Sequence, residues 1–470
     1  MTRKAIASLL LSVTILAGFA DADEQPNLIL IIADDLGYGE TSMMGCPDIP
    51  TPHIDALADR GVRCTSGYVT SSYCSPSRAG MLTGRYQSRF GYDHNPVGDK
   101  NLLETAGVPD SELLFAEPLV EAGYQTALIG KWHLGATPSK HPNQRGFKEF
   151  WGFLHEGHYY VPGPPYDEVW TMLRDRSLEK GQRTIDGKNV RGNYAPINEP
   201  LYDKHNPVLN ETVTVETFDY LTDEITSRSV DFVERHHQSP FALVVSYNAV
   251  HSPMQARLDD VESFSHISDI QRRIFAGMTV ALDRGVGEIT RCLEKHNLRE
   301  NTLLVFVSDN GGPTKELTSR NTPLRGEKGS VYEGGLRVPM IWSMPSRLPT
   351  GVSEDRPVLS LDVVATFAEM AGVSSAFEEL DGVNLDGWLG RPNNAAPNRP
   401  IFWRMTHGKR AIRVGNYKWI QPRRGVEPEL YDLESDIGES VNLAKDRPDV
   451  IFQLSEVWSA INEMMAPPML

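Results

Sequence analysis

Four short apolar runs punctuate the chain without polar alternation: residues 28–33 (LILIIA), 126–129 (TALI), 241–247 (FALVVSY) and 302–307 (TLLVFV). A strand that is apolar on both sides of its pleat must be covered on both faces, the pattern of a parallel sheet with helices on either side. Between the runs the apolar period lengthens to that of a helix. Residues 270–296 carry Ile274, Met278, Leu282, Val286, Ile289 and Leu293 on one face; 213–236 reads as a second helix, and 361–371 as a third that stops at Gly372. This alternation predicts an α/β fold with a mostly parallel central sheet flanked by helices. The residues after each run are polar: Asp34 and Asp35, then Lys131 and His133, then His251, then Asp309 and Asn310. Strand carboxyl ends share one edge of a parallel sheet, and open α/β sheets form their ligand crevices there. Topology alone therefore predicts that these groups converge.

The pattern changes near Gly390. Residues 390–400 (GRPNNAAPNRP) read as a polar linker, followed by short strands at 401–405, 411–414 and 417–420 and a closing helix at 449–465. The expected organisation is a catalytic-size domain over 23–389 and a smaller α+β subdomain over 390–470. Residues 151–207, rich in Gly, Pro, Tyr and charge, are expected to form long loops over the crevice. Arg3 and Lys4 precede an apolar stretch ending in small residues, the layout of a signal peptide over 1–22, so the mature chain is expected to be exported, periplasmic or secreted. The mean hydropathy of −0.34 excludes a multi-span membrane protein, and no span is expected in the mature chain. Forty-six basic against 62 acidic residues give a net charge of −16, which disfavours nucleic acid as a partner and requires any anionic substrate to be held locally. The four cysteines, Cys46, Cys64, Cys74 and Cys292, include no CxxC pair. If Cys74 serves another purpose, Cys46 with Cys64 is the expected disulfide and Cys292 a buried thiol within a helix.

Residues 74–85 (CSPSRAGMLTGR) look like the start of a helix, with Pro76 in its first turn and Ser or Cys at its cap. Within them Cys74, Pro76, Ser77, Arg78, Leu82, Gly84 and Arg85 form the pattern CxPSRxxxLxGR, which resembles the signature of the formylglycine-dependent sulfatases, type I arylsulfatase-like enzymes of the alkaline phosphatase superfamily. The resemblance covers most of the chain: PNLILIIADDLGYGE, TPHIDALADRGVR, GKWHLG, HSP at His251, SDNGG, LRGEKGSVYEGGLRVP and YDLESDIGESVNL. It implies an alkaline-phosphatase-like sheet and a sulfuric ester hydrolase in which a formylglycine-generating maturation enzyme oxidises Cys74 to Cα-formylglycine, hydrated to a diol. It also implies one Ca²⁺ held by Asp34, Asp35, Asp309, Asn310 and an oxygen of the converted Cys74. Magnesium suits the same oxygens, although a crowded all-protein oxygen cage favours calcium.

The remaining roles are carried over residue by residue. Lys131 and Lys328 correspond to the lysines that bind the sulfate, Arg78 to the group steadying the residue 74 oxygen, His133 to the base and His251 to the acid toward the leaving oxygen. The implied cycle is attack by a diol oxygen on sulfur, departure of the alcohol, and collapse of the sulfated diol to the aldehyde, a step closed to an ordinary Ser or Cys. A sulfated carbohydrate is the expected substrate, with His155, His158, Tyr159, Tyr160, Arg404 and His407 as candidate sugar contacts. The alternatives are a phosphonate monoester or phosphodiester hydrolase of the same superfamily, and a catalytically silent sulfoglycan-binding protein.

Overall fold

The structure, a computed structural model, describes residues 25–163, 167–173, 184–186, 189–191 and 206–469. The proposed signal segment at 1–22 and part of the 151–207 stretch lie outside the described residues. Each of the four apolar runs is a strand: β1 (Asn27–Ala33), β2 (Gln125–Lys131), β4 (Phe241–Ser246) and β5 (Thr302–Ser308), joined by β3 (Glu149–Phe153). They pair in the order β3-β2-β4-β1-β5, all parallel, so their carboxyl ends lie on one edge. Antiparallel Met340–Ser343 and Val62–Cys64 continue the sheet beyond β5, and Leu209–Asn210 with Val213–Thr214 extends the other side.

The pleat of β1 explains the absence of alternation in its sequence. Ile29, Ile31 and Ala33 enter one core layer with residues of α2 (Leu221–His236) and α3 (Ile270–Lys295), while Leu28, Leu30 and Ile32 enter the opposite layer with α1 (Cys74–Thr83) and Asp362–Met370. Helix α3 follows its expected span to within a residue, because Asp269 caps it by accepting from the Gln271 amide. Helix α2 begins at Leu221 rather than 213, since Val213 and Thr214 pair as an exposed sheet edge. The 151–207 region is not all loop. Trp151 lies in β3, and Val169–Leu173 pairs with Met254–Arg257 on one side and Asn189–Arg191 on the other, with Thr184–Asp186 beyond, in a small second sheet; strands this short carry too few residues to show a period.

Beyond the linker, Ile401–Met405, Lys409–Val414, Tyr417–Gln421 and Glu429–Asp432 form an antiparallel meander covered by Pro448–Glu463. Val450, Leu454 and Trp458 are the buried face of that helix, and the Trp458 ring stacks on Phe402 at 5.4 Å. The meander is tied to the main sheet's side by buried charge: Lys418 Nζ lies 2.7 Å from Glu333 and 3.0 Å from Glu439. Burial raises the Glu439 carboxyl from 4.5 to about 7, with Glu333 adding to it against the pull of Lys418. A folded-state value above the unfolded one means that this group's contribution to stability falls as pH rises from about 4.5 to about 7. Glu439→Gln is expected to flatten the pH dependence of urea unfolding across that window; an unchanged slope would show that Glu439 does not titrate there.

The cysteine pairing does not form. All four cysteines are free thiols. Cys64 is wholly buried in its sheet strand, whereas Cys46 Sγ lies 3.4 Å from Asp48 Oδ1 and 3.7 Å from Arg272 Nη2. Each sulfur faces its own surroundings rather than the other.

Candidate active site

The four polar clusters meet at the carboxyl edge. Asp34 and Asp35 leave β1, Asp309 and Asn310 leave β5, and the first turn of α1 brings Cys74 against them. Tyr73, in extended conformation, is the cap residue, so Cys74 opens the helix rather than capping it. One ligand atom each from Asp34, Asp35, Cys74 and Asp309 falls within a mutual 4.8 Å, and all four residues are buried. Asp35 reaches this position with φ +65°, a left-handed conformation that Asp tolerates better than most residues.

Three carboxylates this close repel one another. Burial and Asp309 push Asp34 up to about 7, while Lys328 and His251 overcome burial at Asp35 and hold it at about 2. The donor set fits a hard cation: carboxylate oxygens, plus the Asn310 Oδ1, which is buried without a hydrogen-bond partner while its Nδ2 donates to Asp35 at 2.6 Å. The Cys74 thiol sulfur, 3.6 Å from Asp34 Oδ1, stands where that cation would take an oxygen of the oxidised residue.

Three cations face the carboxylates. Lys131, the last residue of β2, places Nζ 2.5 Å from Asp34 Oδ2, and Lys328 Nζ lies 2.7 Å from Asp35 Oδ1 and 3.3 Å from Cys74 Sγ. Arg78, one helical turn after Cys74, donates from Nε to Asp309 at 2.8 Å and from Nη1 to Ser246 Oγ at 2.6 Å and the Lys131 carbonyl at 3.2 Å. Its Nη2 is buried without a partner. The three acids and three bases cancel, so a divalent cation leaves a net charge of +2 for an anion, in a chain whose overall charge is −16.

The two histidines are held in opposite tautomers. His251 donates from Nδ1 to the Ser252 carbonyl at 2.6 Å, leaving Nε2 3.7 Å from Asp35. His133, at φ +58°, donates from Nε2 to the Pro96 carbonyl at 2.9 Å, which leaves Nδ1 as a buried acceptor without a partner. Burial pulls both well below the usual histidine range, helped by Lys328 at His251 and Lys131 at His133, so both rest as neutral imidazoles.

All the residues predicted for chemistry are therefore brought together, and the predicted sugar contacts are mostly buried or committed to partners within the protein. His155, His158, Tyr159 and Tyr160 are at most 7% exposed. Tyr160 donates to the Asn248 and His251 carbonyls, fixing the turn that carries His251. Arg404 is committed to Asp93 at 2.8 Å and to the Ala466 carbonyl at 2.7 Å. Only His407 is exposed, at φ +61° in the turn after the first meander strand. That turn touches the site through Lys409, whose Nζ meets the Gly329 carbonyl and the Tyr73 hydroxyl, next to Lys328 and Cys74. Lys409, Tyr73 and Ser246 were not singled out from the sequence, where nothing in their local pattern marks them, and Tyr160 was expected at a sugar rather than on the His251 turn.

Comparison with known proteins agrees with this geometry. The family model described as Sulfatase matches residues 26–373. An N-acetylgalactosamine-6-sulfatase from Canis lupus familiaris is 30% identical over 435 residues, 87% of this chain and 76% of that one. An N-acetylgalactosamine-6-O-sulfatase from Bacteroides thetaiotaomicron is 29% identical, covering 93% of both chains. The crystal structure of Ps i-CgsB in complex with k-i-k-neocarrahexaose superposes with TM-score 0.81 at 33% identity over 95% of this chain and 94% of that one. The chain belongs to the sulfatase family of the alkaline phosphatase superfamily and is a sulfuric ester hydrolase.

Proposed function

We propose that the protein is an exported sulfatase that removes sulfate from a sulfated carbohydrate, using Cys74 converted to formylglycine and one bound Ca²⁺. The observation that carries this reading is the gathering of Asp34, Asp35, Asp309 and residue 74 within 4.8 Å, ringed by Lys131, Lys328 and Arg78. The carbohydrate class is supported by the relatives named for N-acetylgalactosamine-6-sulfate and by the neighbour solved with neocarrahexaose. Export rests on the signal layout of residues 1–22, and conversion requires the maturation enzyme to act on the motif at 74–85.

Asp34, Asp35, Asp309 and the Asn310 Oδ1 would hold the cation, which when bound would supply charge relief at the sulfuryl oxygens and lower the pKa of a hydroxyl on the hydrated residue 74. Lys131 and Lys328 bind the ester's sulfuryl oxygens, exchanging part of their contact with Asp34 and Asp35 for the substrate. His251, whose basicity is lowered by burial and then by the two ammonium charges, gains basicity as the bound anion offsets those charges, and its Nε2 is the group placed to deliver a proton to the departing sugar oxygen, with Lys328 beside it. His133, its Nδ1 unpartnered and its Nε2 anchored on Pro96, takes the proton whose removal releases sulfate. The rim formed by Tyr73, His407 and Lys409 is where a sugar chain meets the protein.

The test is desulfation of a panel of defined sulfated mono- and oligosaccharides, with free sulfate measured, against aryl phosphonate and phosphodiester controls. Turnover of one sulfated sugar well above every control is expected; faster phosphonate or diester hydrolysis rules out the assignment. Prolonged chelation is also expected to reduce kcat by about 10²-fold or more, with recovery on adding Ca²⁺. Full activity in protein shown by elemental analysis to be metal-free removes the four ligands from the mechanism.

A further inference from the structure

Away from the catalytic edge, a second group of ligand-type side chains converges where α2 packs against α3. Glu234 lies in the last turn of α2 and His237 just beyond it, while Cys292 lies in the final turns of α3 and His296 caps it. Spacings of three and four residues place each pair on a single helix face. His296 Nε2 is 2.7 Å from Glu234 Oε2 and Cys292 Sγ is 3.8 Å from Glu234 Oε1, with the three donor atoms within a mutual 4.8 Å. The His237 ring packs on His296 at 4.3 Å between centroids and is itself held by its Nδ1 on the Glu234 carbonyl at 2.7 Å. Cys292 is only 5% exposed, whereas the His296 and Glu234 side chains are 15% and 34% exposed, so the cluster is closed at the sulfur and open to solvent at the carboxylate.

We propose that Glu234, Cys292 and His296 form a second metal site, for a borderline-soft divalent ion such as Zn²⁺, which clasps the ends of α2 and α3 together. One sulfur, one imidazole nitrogen and one carboxylate oxygen are zinc donors, in contrast to the all-oxygen set at the catalytic edge. Zinc bonds of about 2.0–2.3 Å in a tetrahedron separate ligand atoms by roughly 3.3–3.8 Å; Cys292 Sγ and Glu234 Oε1 already stand 3.8 Å apart, and the 2.7 Å hydrogen bond between His296 and Glu234 has to open slightly. On binding, the Cys292 S–H bond breaks and its proton goes to solvent as the sulfur–metal bond forms. Glu234 and His296 exchange their mutual hydrogen bond for the ion, and the His296 ring proton moves from Nε2 to Nδ1. Lys295, 2.6 Å from Glu234 Oε1, must swing aside, at small cost because its side chain is 66% exposed. Solvent fills the fourth position, and the stacked His237 limits rotation of the His296 ring. This inference does not depend on the carbohydrate assignment or on conversion of Cys74.

The experiment titrates Co²⁺ alone into full-length Cys74→Ala protein in excess Ca²⁺, so that the catalytic thiol cannot report. One equivalent is expected to produce thiolate-to-cobalt charge-transfer absorption, which Zn²⁺ then bleaches. Cys292→Ser in the same background is expected to abolish the band, and His296→Gln to weaken Co²⁺ binding about tenfold or more. Zn²⁺ is expected to raise the Tm of the Cys74→Ala protein but not of the Cys292→Ser double variant. No band at saturating Co²⁺, or a band retained in Cys292→Ser, overturns the proposal. Should Cys292→Ser not fold, unchanged Co²⁺ affinity in His296→Gln, altered at a partly exposed position, overturns it equally.

Discussion

Cys74→Ala is expected to lower kcat/KM on an aryl sulfate by about four orders of magnitude or more, while leaving the fold and the carboxylate cluster intact. The size of the effect follows from the surroundings of the side chain. Cys74 is 1% exposed, and burial pushes its thiol up; Lys131 and Lys328 pull against that rise, but Asp309 and Asp34 reinforce it. A thiol so placed stays protonated at neutral pH and is a poor nucleophile and a poor ligand for a hard cation. The unmodified side chain is therefore poorly suited to the site built around it, which is why the proposed mechanism calls for an oxidised one. Serine separates the two halves of the cycle. Cys74→Ser retains one oxygen, so attack on sulfur remains open, but the resulting ester has no second hydroxyl on the same carbon from which His133 can take a proton. Intact-mass measurement is expected to show Cys74→Ser protein accumulating one sulfuryl group without sustained turnover. Multiple turnovers by either variant at rates near those of the converted enzyme would sink the nucleophile assignment.

The sequence carries most of this catalytic edge because its residues sit at fixed offsets from recognisable strands. Asp34 follows β1 directly, Lys131 ends β2, and Asp309 follows β5, so knowing that the three strands are parallel already places the three side chains on one side. Sequence does not show the groups that hold those residues still. Ser246 closes β4 like any strand serine, yet its hydroxyl joins Arg78 to the Lys131 carbonyl. Tyr160 looks like a loop aromatic suited to stacking a sugar, but its hydroxyl is used on the His251 turn. The same is true of Arg404, whose partner Asp93 is more than three hundred residues away in the chain, a separation of 311. Long-range pairing decides whether a polar side chain is a surface group or a strut, and periodicity contains no information about it. The positive φ values at Asp35 and His133 are similarly invisible, since neither is a glycine.

Arg78 is where these supports and the chemistry meet, and it gives the second large expected effect. Its guanidinium spans Asp309, the end of β2 and the end of β4 at once, with 1% of the side chain exposed. Arg78→Lys keeps the charge but replaces a planar fork with one ammonium that cannot reach all three partners. It is expected to cost about 2–4 kcal/mol of stability, because buried acceptors lose their donors. It is also expected to lower kcat about 10²–10³-fold, because Asp309 and Lys131 lose their fixed positions against residue 74. Arg78→Met is expected to be worse in stability, about 3–5 kcal/mol, since it leaves Asp309 as an unpaired buried carboxylate. Bound Ca²⁺ separates structural from chemical loss. If Arg78 acted only as a strut for Asp309, saturating Ca²⁺ would restore both the urea midpoint and kcat of Arg78→Lys. If the unpartnered Nη2 also addresses the reacting oxygens, the midpoint recovers and kcat does not. The geometry favours the second outcome, and full recovery of kcat with Ca²⁺ would confine Arg78 to the support of Asp309.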